Sequence, residues 1–305
     1  MTGDGFLGVV QFPHPGGEHK VDGQGWTGWN VNDHRRKFLL AEGSHVDAAG
    51  VRREGELVFW GEWEPPSELV ADGSEDDRLP RHVVRPRFPG RPTVVPGLQN
   101  TDPNVFGDRF RYTYCKQQIK GKATTYLASL QPGSLVLFGS NLAGAFVLDT
   151  ALVVGERPVE HSRLTWREVL AGSVSETYRA VTLEPMYSDP AVPETLMFTL
   201  YNGATFDEPM AGMYSFFPCL PVHGDRRPTF ARPVVSLEGV IQPRLKQGSK
   251  GTRADPGAIR DIWRNVVVQV LEAGLMLGVR ALEPERTRVP DHAWPGPLSR
   301  TRAGL

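Results

Sequence analysis

The chain has 305 residues, of which 40% are hydrophobic and 23% charged, and its 34 Lys and Arg against 35 Asp and Glu leave a net charge of −1. This balance is ordinary for a globular protein and excludes a polybasic, histone-like protein, although it is compatible with a local basic patch. The two cysteines, Cys115 and Cys219, are far apart in sequence and argue against a secreted disulfide scaffold.

In the first third of the chain, apolar runs and chain breakers predict short strands. Residues 6–12 fit an edge strand, and residues 33–40 fit either a helical turn or a strand. Residues 56–64 form the clearest strand pattern, which ends at Pro65 and Pro66. Residues 70–97, first acidic and then rich in Arg and Pro, predict a long loop.

The middle of the chain predicts a hairpin and a short helix. Residues 135–139 and 145–154 are apolar runs joined by a turn at residues 141–144. Thr165 and Glu168 have the spacing of a capping box, which predicts a helix to about residue 171. Three further segments fit strands, namely residues 110–115, 195–201 and 213–217.

The last third of the chain predicts the longest helix. Asp255 and Pro256 are typical of a helix start, and apolar residues then recur at helical spacing as far as Leu277, with Gly278 as the predicted C-cap. The sequence thus predicts an α+β fold with a mainly antiparallel, barrel-like sheet, a few helices and one long C-terminal helix. We expect one elaborated domain over residues 1–282 and a polar, Pro-rich C-terminal tail over residues 283–305.

The N-terminus has no basic region followed by a long apolar run, and the longest apolar-rich stretch, residues 266–279, is interrupted by polar residues and glycines. We therefore expect a cytoplasmic protein with no membrane partner.

Two glutamates at the end of the predicted strand 56–64 are the first candidate site. Glu62 and Glu64 would share one face of the strand, next to Trp60, because residues two apart in a strand point the same way. Mutual repulsion would raise the pKa of one of them, as a general acid requires, and His34 could assist. The pair could equally hold a divalent metal, or be solvated and paired with nearby basic residues.

A turn rich in amides and acids is the second candidate site. Asn100, Asp102 and Asp108 offer hydrogen-bond donors and acceptors suited to a base edge or a sugar hydroxyl, and Arg109 follows them. The same residue types also form ordinary turns before proline, and Asp108 with Arg109 could be a structural ion pair.

Basic residues suited to phosphate occur in two places. Arg35 and Arg36 precede the first candidate site, and a Gly-rich loop over residues 246–253 precedes the predicted helix. Its basic side chains are Lys246, Lys250 and Arg253. The loop does not have the spacing of a P-loop, and a solvated linker is the alternative interpretation.

Two histidines near the N-terminus invite a metal interpretation. His14 and His19 are separated by a Pro-Gly-Gly-Glu segment that prevents the helix on which common zinc motifs depend. They could still bind a metal from a loop, or lie solvated on the surface.

One segment resembles a known superfamily. The run at 130–139, Leu-Gln-Pro-Gly-Ser-Leu-Val-Leu-Phe-Gly, followed by the strand at 146–154, is similar to the entry into a barrel strand in the PUA-like superfamily, which includes ASCH and EVE domains. Ser134 stands where that superfamily often has Asp. The resemblance covers about 25 residues. It implies a β-barrel that binds RNA or modified DNA bases, in some members within enzymes that act on nucleic acid.

These observations favour an enzyme that acts on a nucleic acid or nucleotide and hydrolyses a phosphodiester or N-glycosidic bond. Its catalytic candidates are Glu62, Glu64, His34, Asp102 and Asp108. Its substrate-binding candidates are Asn100, Arg35, Arg36, Arg109, Trp60, Lys246, Lys250 and Arg253. The first alternative is a non-catalytic reader that holds a modified or flipped base in a PUA-like barrel. The second alternative is a scaffold that binds a partner through the Trp-rich N-terminal region.

Overall fold

The computed structural model describes residues 5–14, 17–72, 80–90, 97–119, 124–224 and 227–294. The fold is mostly sheet with few helices, at 38% strand and 15% helix, and its strand pairs are mainly antiparallel, as the sequence predicts. None of the helices within these ranges combines the length and the apolar character that a membrane crossing requires.

In chain order the strands are β1 (Gly8–Pro13), β2 (Gly17–Glu18), β3 (Trp26–Thr27), β4 (Arg35–Val46), β5 (Arg52–Gly61), β6 (Ser67–Asp72), β7 (His82–Pro86), β8 (Arg111–Tyr112), β9 (Leu135–Leu142), β10 (Ala145–Val153), β11 (Val159–His161), β12 (Phe198–Asn202), β13 (Phe217–Pro221), β14 (Lys250–Arg253) and β15 (Met276–Ala281). The helices are α1 (Trp166–Val169), α2 (Glu176–Tyr178), α3 (Glu184–Ser188) and α4 (Pro256–Glu272), with a π-helical turn at Arg179–Leu183 and 3-10 turns at Tyr126–Ser129 and Asp291–Ala293.

The strands form three sheets. One has the order β10-β9-β1-β14, a second the order β11-β12-β8, and the largest the order β15-β13-β5-β4-β7-β6-β3, with β2 added beside β4 and β15 also pairing with β4. β1 lies between β9 and β14, so it is an inner strand and not the predicted edge strand. Its six residues are all buried, which is typical of an inner strand covered on both faces.

Two strand ends position the candidate site. β4 and β5 are antiparallel with Lys37 opposite Gly61, so the first residues of β4 lie beside the chain that leaves β5. β1 ends nearby at Pro13 and runs parallel to β9, and the His14 amide donates to the carbonyl of Gly139 at 2.7 Å. The end of β1, the hairpin β9–β10 and the β4–β5 pair thus meet around one point.

Several predicted elements differ from the observed ones. Of residues 33–40, residues 35–40 form the start of β4, and the predicted hairpin is confirmed as β9 and β10. Thr165 makes no capping bond to the helix that follows, because its hydroxyl instead accepts from the Ser162 amide. Of the predicted loop over residues 70–97, residues 82–86 form β7, while residues 73–79 and 91–96 lie outside the described ranges.

The predicted long helix begins where the sequence places it but ends earlier. The Asp255 carboxylate accepts from the Gly257 and Ala258 amides, and α4 ends at Glu272. Gly274, at φ 78°, turns the chain, and Leu277 and Gly278 lie in β15 instead of closing the helix. Because β15 follows α4, the helix is not C-terminal.

The described part of the predicted tail packs against earlier parts of the chain. Val289 and Ala293 are buried, and Trp294 stacks on Trp29 with ring centroids 6.1 Å apart. Residues 295–305 lie outside the described ranges.

Candidate functional site

Glu62 and Glu64 lie just beyond β5, which ends at Gly61, and so they are not inside the strand as predicted. They nevertheless reach the same group, because His34 Nδ1 is 3.5 Å from Glu62 Oε1 and 3.2 Å from Glu64 Oε1. The Trp63 side chain is fully buried and packs edge-on against Phe106. The paired carboxylates and His34 that the sequence singled out are therefore brought together.

Arg36 is the permanent cation of this cluster. Its Nη2 lies 2.6 Å from Glu62 Oε2, and its Nη1 lies 3.7 Å from Glu64 Oε1. Its neighbour Arg35, at the first position of β4, has 46% of its side chain exposed and pairs with Asp33. Of the two predicted arginines, only Arg36 takes part in the cluster.

Burial and charge move the pKa values of the three titratable groups in different directions. Burial raises the pKa of Glu62 to about 7 despite the opposing charge of Arg36. Burial would also raise the pKa of Glu64, but this pKa is lowered overall. The hydrogen bond and charge of His34, together with the charges of Arg36 and Lys37, outweigh the effect of burial. Burial would lower the pKa of His34, yet hydrogen bonds and charges from both glutamates raise it to about 10. Near neutral pH, Glu64 is ionised, His34 is protonated and Glu62 is poised to exchange a proton.

Glu64 is enclosed by its supporting groups. Asn30 Nδ2 donates to Glu64 Oε2, and the Glu64 amide donates to the Thr101 hydroxyl at 3.1 Å. Lys37 Nζ donates to the carbonyls of Trp63 and Pro65 on either side of it. These bonds hold the segment after β5 in place, and of the two glutamates it is Glu62 that lines a cavity.

That cavity is small and mixed in character, with room for about one water molecule. Its polar side chains include His14, Arg36, Glu62 and Asp149, and Phe138 forms part of an apolar wall. Buried polar atoms without a hydrogen bond of good geometry include His14 Nε2, Arg36 Nη1 and both Glu62 oxygens. Unsatisfied buried polar groups are costly and rare, so four such atoms on three residues that line one cavity make it a candidate binding point.

Asp149 is a functional candidate that sequence reasoning missed. The pairing of β9 with β10 shifts between Leu148 and Thr150, and Asp149 sits at this bulge. Bulges can re-aim a side chain beside a site, and this carboxylate enters the cavity wall and pairs with Arg232 at 3.2 Å. An aspartate within the largely apolar run at 146–154 was the available signal, because a lone buried carboxylate is costly.

The Trp60 side chain belongs to the hydrophobic core. It is buried, packs edge-on against Phe38 and has the Arg232 guanidinium 4.8 Å from its ring centroid. The ring contacts the Arg232 guanidinium that pairs with Asp149, and it is too buried to stack on a base.

The second predicted site divides into a structural part and a separate surface. Asp102 accepts from the amides of Thr113, Tyr114 and Cys115 at 2.7–2.9 Å, so both of its oxygens brace the chain around β8. Burial still raises its pKa, to about 6, against those three hydrogen bonds. Asn100 is buried nearby in sequence, and its Nδ2 has no hydrogen-bond partner.

Asp108 and Arg109 lie elsewhere. The Asp108 side chain is 61% exposed and pairs with Arg109 at 3.1 Å and with Arg111 at 2.7 Å. Arg109 lines a different cavity, together with Arg157 and Asn202. The structure therefore does not bring this pair to Glu62 and Glu64.

The predicted phosphate loop is also separate. Lys250 and Arg253 bound strand β14, which pairs with β1 so that Arg253 lies opposite Gly8. Six residues of extended chain separate Gly8 from His14, roughly 20 Å. Lys250 donates to the Gly239 carbonyl, Arg253 lies over the Phe6 ring, and exposed Lys246 precedes the strand.

His34, Glu62 and Glu64 offer one metal-ligand atom each, all within 4.8 Å of one another. Imidazole and carboxylates suit a divalent cation such as zinc. Its binding would have to displace the proton that both glutamates stabilise on His34, since a ligating histidine is neutral. No protein-family model, curated protein or solved structure matches the chain.

Proposed function

We propose that the protein is a hydrolase that cleaves the N-glycosidic bond of a nucleoside, nucleotide or nucleic acid, with Glu62 as the general base. The observation that carries the proposal is the environment of Glu62: a buried carboxylate with a pKa of about 7 facing a cavity that has room for about one water molecule. Glu62 takes a proton from this water, the water oxygen attacks the anomeric carbon, and the C–N bonding pair leaves with the base, which gains a proton from solvent.

The charges around the cavity favour this bond over a phosphodiester. Arg36 is the only cation among the described side chains that line the cavity, and it is already paired with Glu62. Asp149 is paired with Arg232. A phosphodiester would bring further negative charge against two carboxylates with no unpaired cation to receive it. Glycosidic cleavage instead develops positive charge on the sugar, which is better matched to the carboxylates of Glu62 and Asp149 in the cavity wall.

Fewer observations support the hypotheses of a non-catalytic reader and of a scaffold. Tyr201, Phe216 and Phe217, from the aromatic segments that could have stacked on a base, are all buried in the core. A PUA-like barrel, suggested by residues 130–154, remains a proposal about ancestry, and fold-level analogy does not establish function.

The test is incubation with nucleosides, nucleotides, DNA and RNA, with and without a divalent cation, followed by chromatography of free bases and of nucleotide fragments. We expect free base to be released. Glu62→Gln should lower turnover by about 10²–10⁴-fold, since it removes the general base. Because the general base Glu62 must be ionised to accept a proton, kcat/KM of the wild type should fall about tenfold per pH unit below pH 7.

Glu42→Gln is the matched control, because Glu42 lies on β4 but is exposed. It should retain wild-type turnover. Nucleotide fragments without free base would favour phosphodiester cleavage, and full activity in Glu62→Gln would remove Glu62 from the mechanism. Salt-dependent binding to DNA or RNA without any turnover would favour the reader.

A further inference from the structure

The hydrogen bond between His14 and Arg36 fixes where His14 carries its proton. His14 Nδ1 lies 2.6 Å from Arg36 Nη2, the same nitrogen that lies 2.6 Å from Glu62 Oε2. A guanidinium has N–H donors and no lone pair to offer, so His14 Nδ1 must be the acceptor. The neutral His14 ring therefore carries its hydrogen on Nε2.

The surroundings of His14 keep it in this form. Its ring packs against Phe12 and Phe138, with centroids 4.6 and 5.9 Å away. Burial lowers the pKa of His14 well below its ordinary value, and the charges of Arg36, His34 and Lys116 lower it further. A proton on Nδ1 would also face the Arg36 N–H. Glu62 and Asp149 share the cavity wall with His14, but each is paired with an arginine.

The remaining ring nitrogen has no partner of its own among the described residues. His14 Nε2 is buried, has no hydrogen-bond partner, and belongs to a ring that lines the cavity beside Glu62. It is thus a neutral donor with an unmet hydrogen bond, next to the proposed base.

We propose that His14 is a further catalytic residue, a neutral imidazole whose Nε2–H donates to the oxygen of the water that Glu62 deprotonates. This inference rests on the proposed function. The water donates one hydrogen to Glu62 and accepts one from His14, which leaves one lone pair of its oxygen free for the attack. His14 retains its proton throughout, and the transferred proton resides on Glu62.

The tautomer can be measured without any substrate. Long-range ¹H–¹⁵N correlation spectra of the labelled protein, with His14 assigned by comparison with His14→Gln, report which ring nitrogen is protonated. We expect an Nε2–H tautomer whose shifts stay constant from pH 5 to pH 8. A titration midpoint near pH 6.5, or a proton on Nδ1, would overturn the assignment.

Two variants then test the catalytic role. In His14→Gln the amide oxygen can accept from Arg36 while the NH₂ group donates to the water, whereas His14→Phe retains a ring and offers no donor. We expect His14→Phe to lower kcat about 10²–10³-fold with little change in KM. The kcat of His14→Gln should be at least tenfold higher than that of His14→Phe.

Comparison with Glu62→Gln separates the two proposals. If the wild type and Glu62→Gln behave as expected while His14→Phe keeps full kcat, only the role of His14 fails. If the wild type turns over none of the substrates, the proposed function fails and the catalytic role of His14 falls with it, whatever the spectra show. A merely structural His14 would make both variants lose activity in proportion to their unfolded fraction, as read from circular dichroism.

Discussion

Glu62 and Glu64 have the same side chain two residues apart, yet their pKa values move in opposite directions. Glu64 receives hydrogen bonds from Asn30 and His34, which stabilise its ionised form. Glu62 has Arg36 beside it and His34 Nδ1 at 3.5 Å, but burial outweighs both and raises its pKa. One imidazolium shared between two buried carboxylates thus produces one permanent anion and one proton acceptor.

The imidazolium of His34 should stabilise the fold in a pH-dependent way. Its pKa is raised in the folded state from 6.5 to about 10, so the folded protein binds the proton more tightly than the unfolded chain does. The resulting stability is fully present below pH 6.5 and is lost as pH rises through 10. His34→Gln should cost about 3–5 kcal/mol of unfolding free energy at pH 6. Urea denaturation of both proteins from pH 6 to pH 10 would measure this difference, which should shrink as pH rises.

His223→Gln is the matched control for this series, because His223 is exposed. Its stability should follow the wild type at every pH. A gap between wild type and His34→Gln that stays constant with pH would show that the imidazolium charge is not the source of the stabilisation.

The hairpin β9–β10 is the element that shapes the cavity wall. A Cβ at Gly139 would lie 2.1 Å from the Val147 carbonyl oxygen and 2.7 Å from the Phe146 ring, so only glycine allows the strands to approach here. Gly139→Ala should therefore lower the unfolding free energy by about 1–3 kcal/mol, since the backbone must shift. Guanidinium denaturation would measure the loss, and Gly23→Ala, at an exposed turn with open space around the position, should change little. If Gly139→Ala and Gly23→Ala had equal unfolding free energies, the close approach of β9 and β10 at Gly139 would be contradicted.

These elements show which features of the fold and of the site could be predicted from sequence patterns. The hairpin was predictable because two apolar runs flank a turn, and the start of α4 because Asp255 and Pro256 are local signals. The bulge at Asp149 was not, because it is set by pairing with β9 and leaves the composition of β10 unchanged. Glu62 and Glu64 were predicted to act together through a strand that in fact ends at Gly61; their proximity comes from the tertiary contact with His34.

Across the whole molecule, segments distant in sequence are paired. β1 pairs with β14, and β15 pairs with β4, so both ends of the domain contribute to sheets begun by the first 50 residues. No local periodicity encodes such partners, which is why the separation of Lys250 and Arg253 from the Glu62 cluster could not be predicted. The sequence offered His14 only as a possible metal ligand, and its catalytic role is proposed from the contact with Arg36 that the fold brings about.

The C-terminal segment provides a test at this scale. Residues 283–294 cover Trp29 with Trp294, bury Val289 and Ala293, and bring Glu283 to the Ser175 hydroxyl. Ending the chain at Leu282 would return this apolar surface to water, at about 1.5–3 kcal/mol for a side chain such as valine. We expect Tm to fall by on the order of 5 °C and Trp29 fluorescence to shift to longer wavelength.

A chain that ends at Trp294 keeps all of these contacts and should keep the wild-type Tm. Equal melting of the two truncated chains would mean that this packing contributes no net stability, and loss of Tm in both would place the stabilising contacts beyond Trp294.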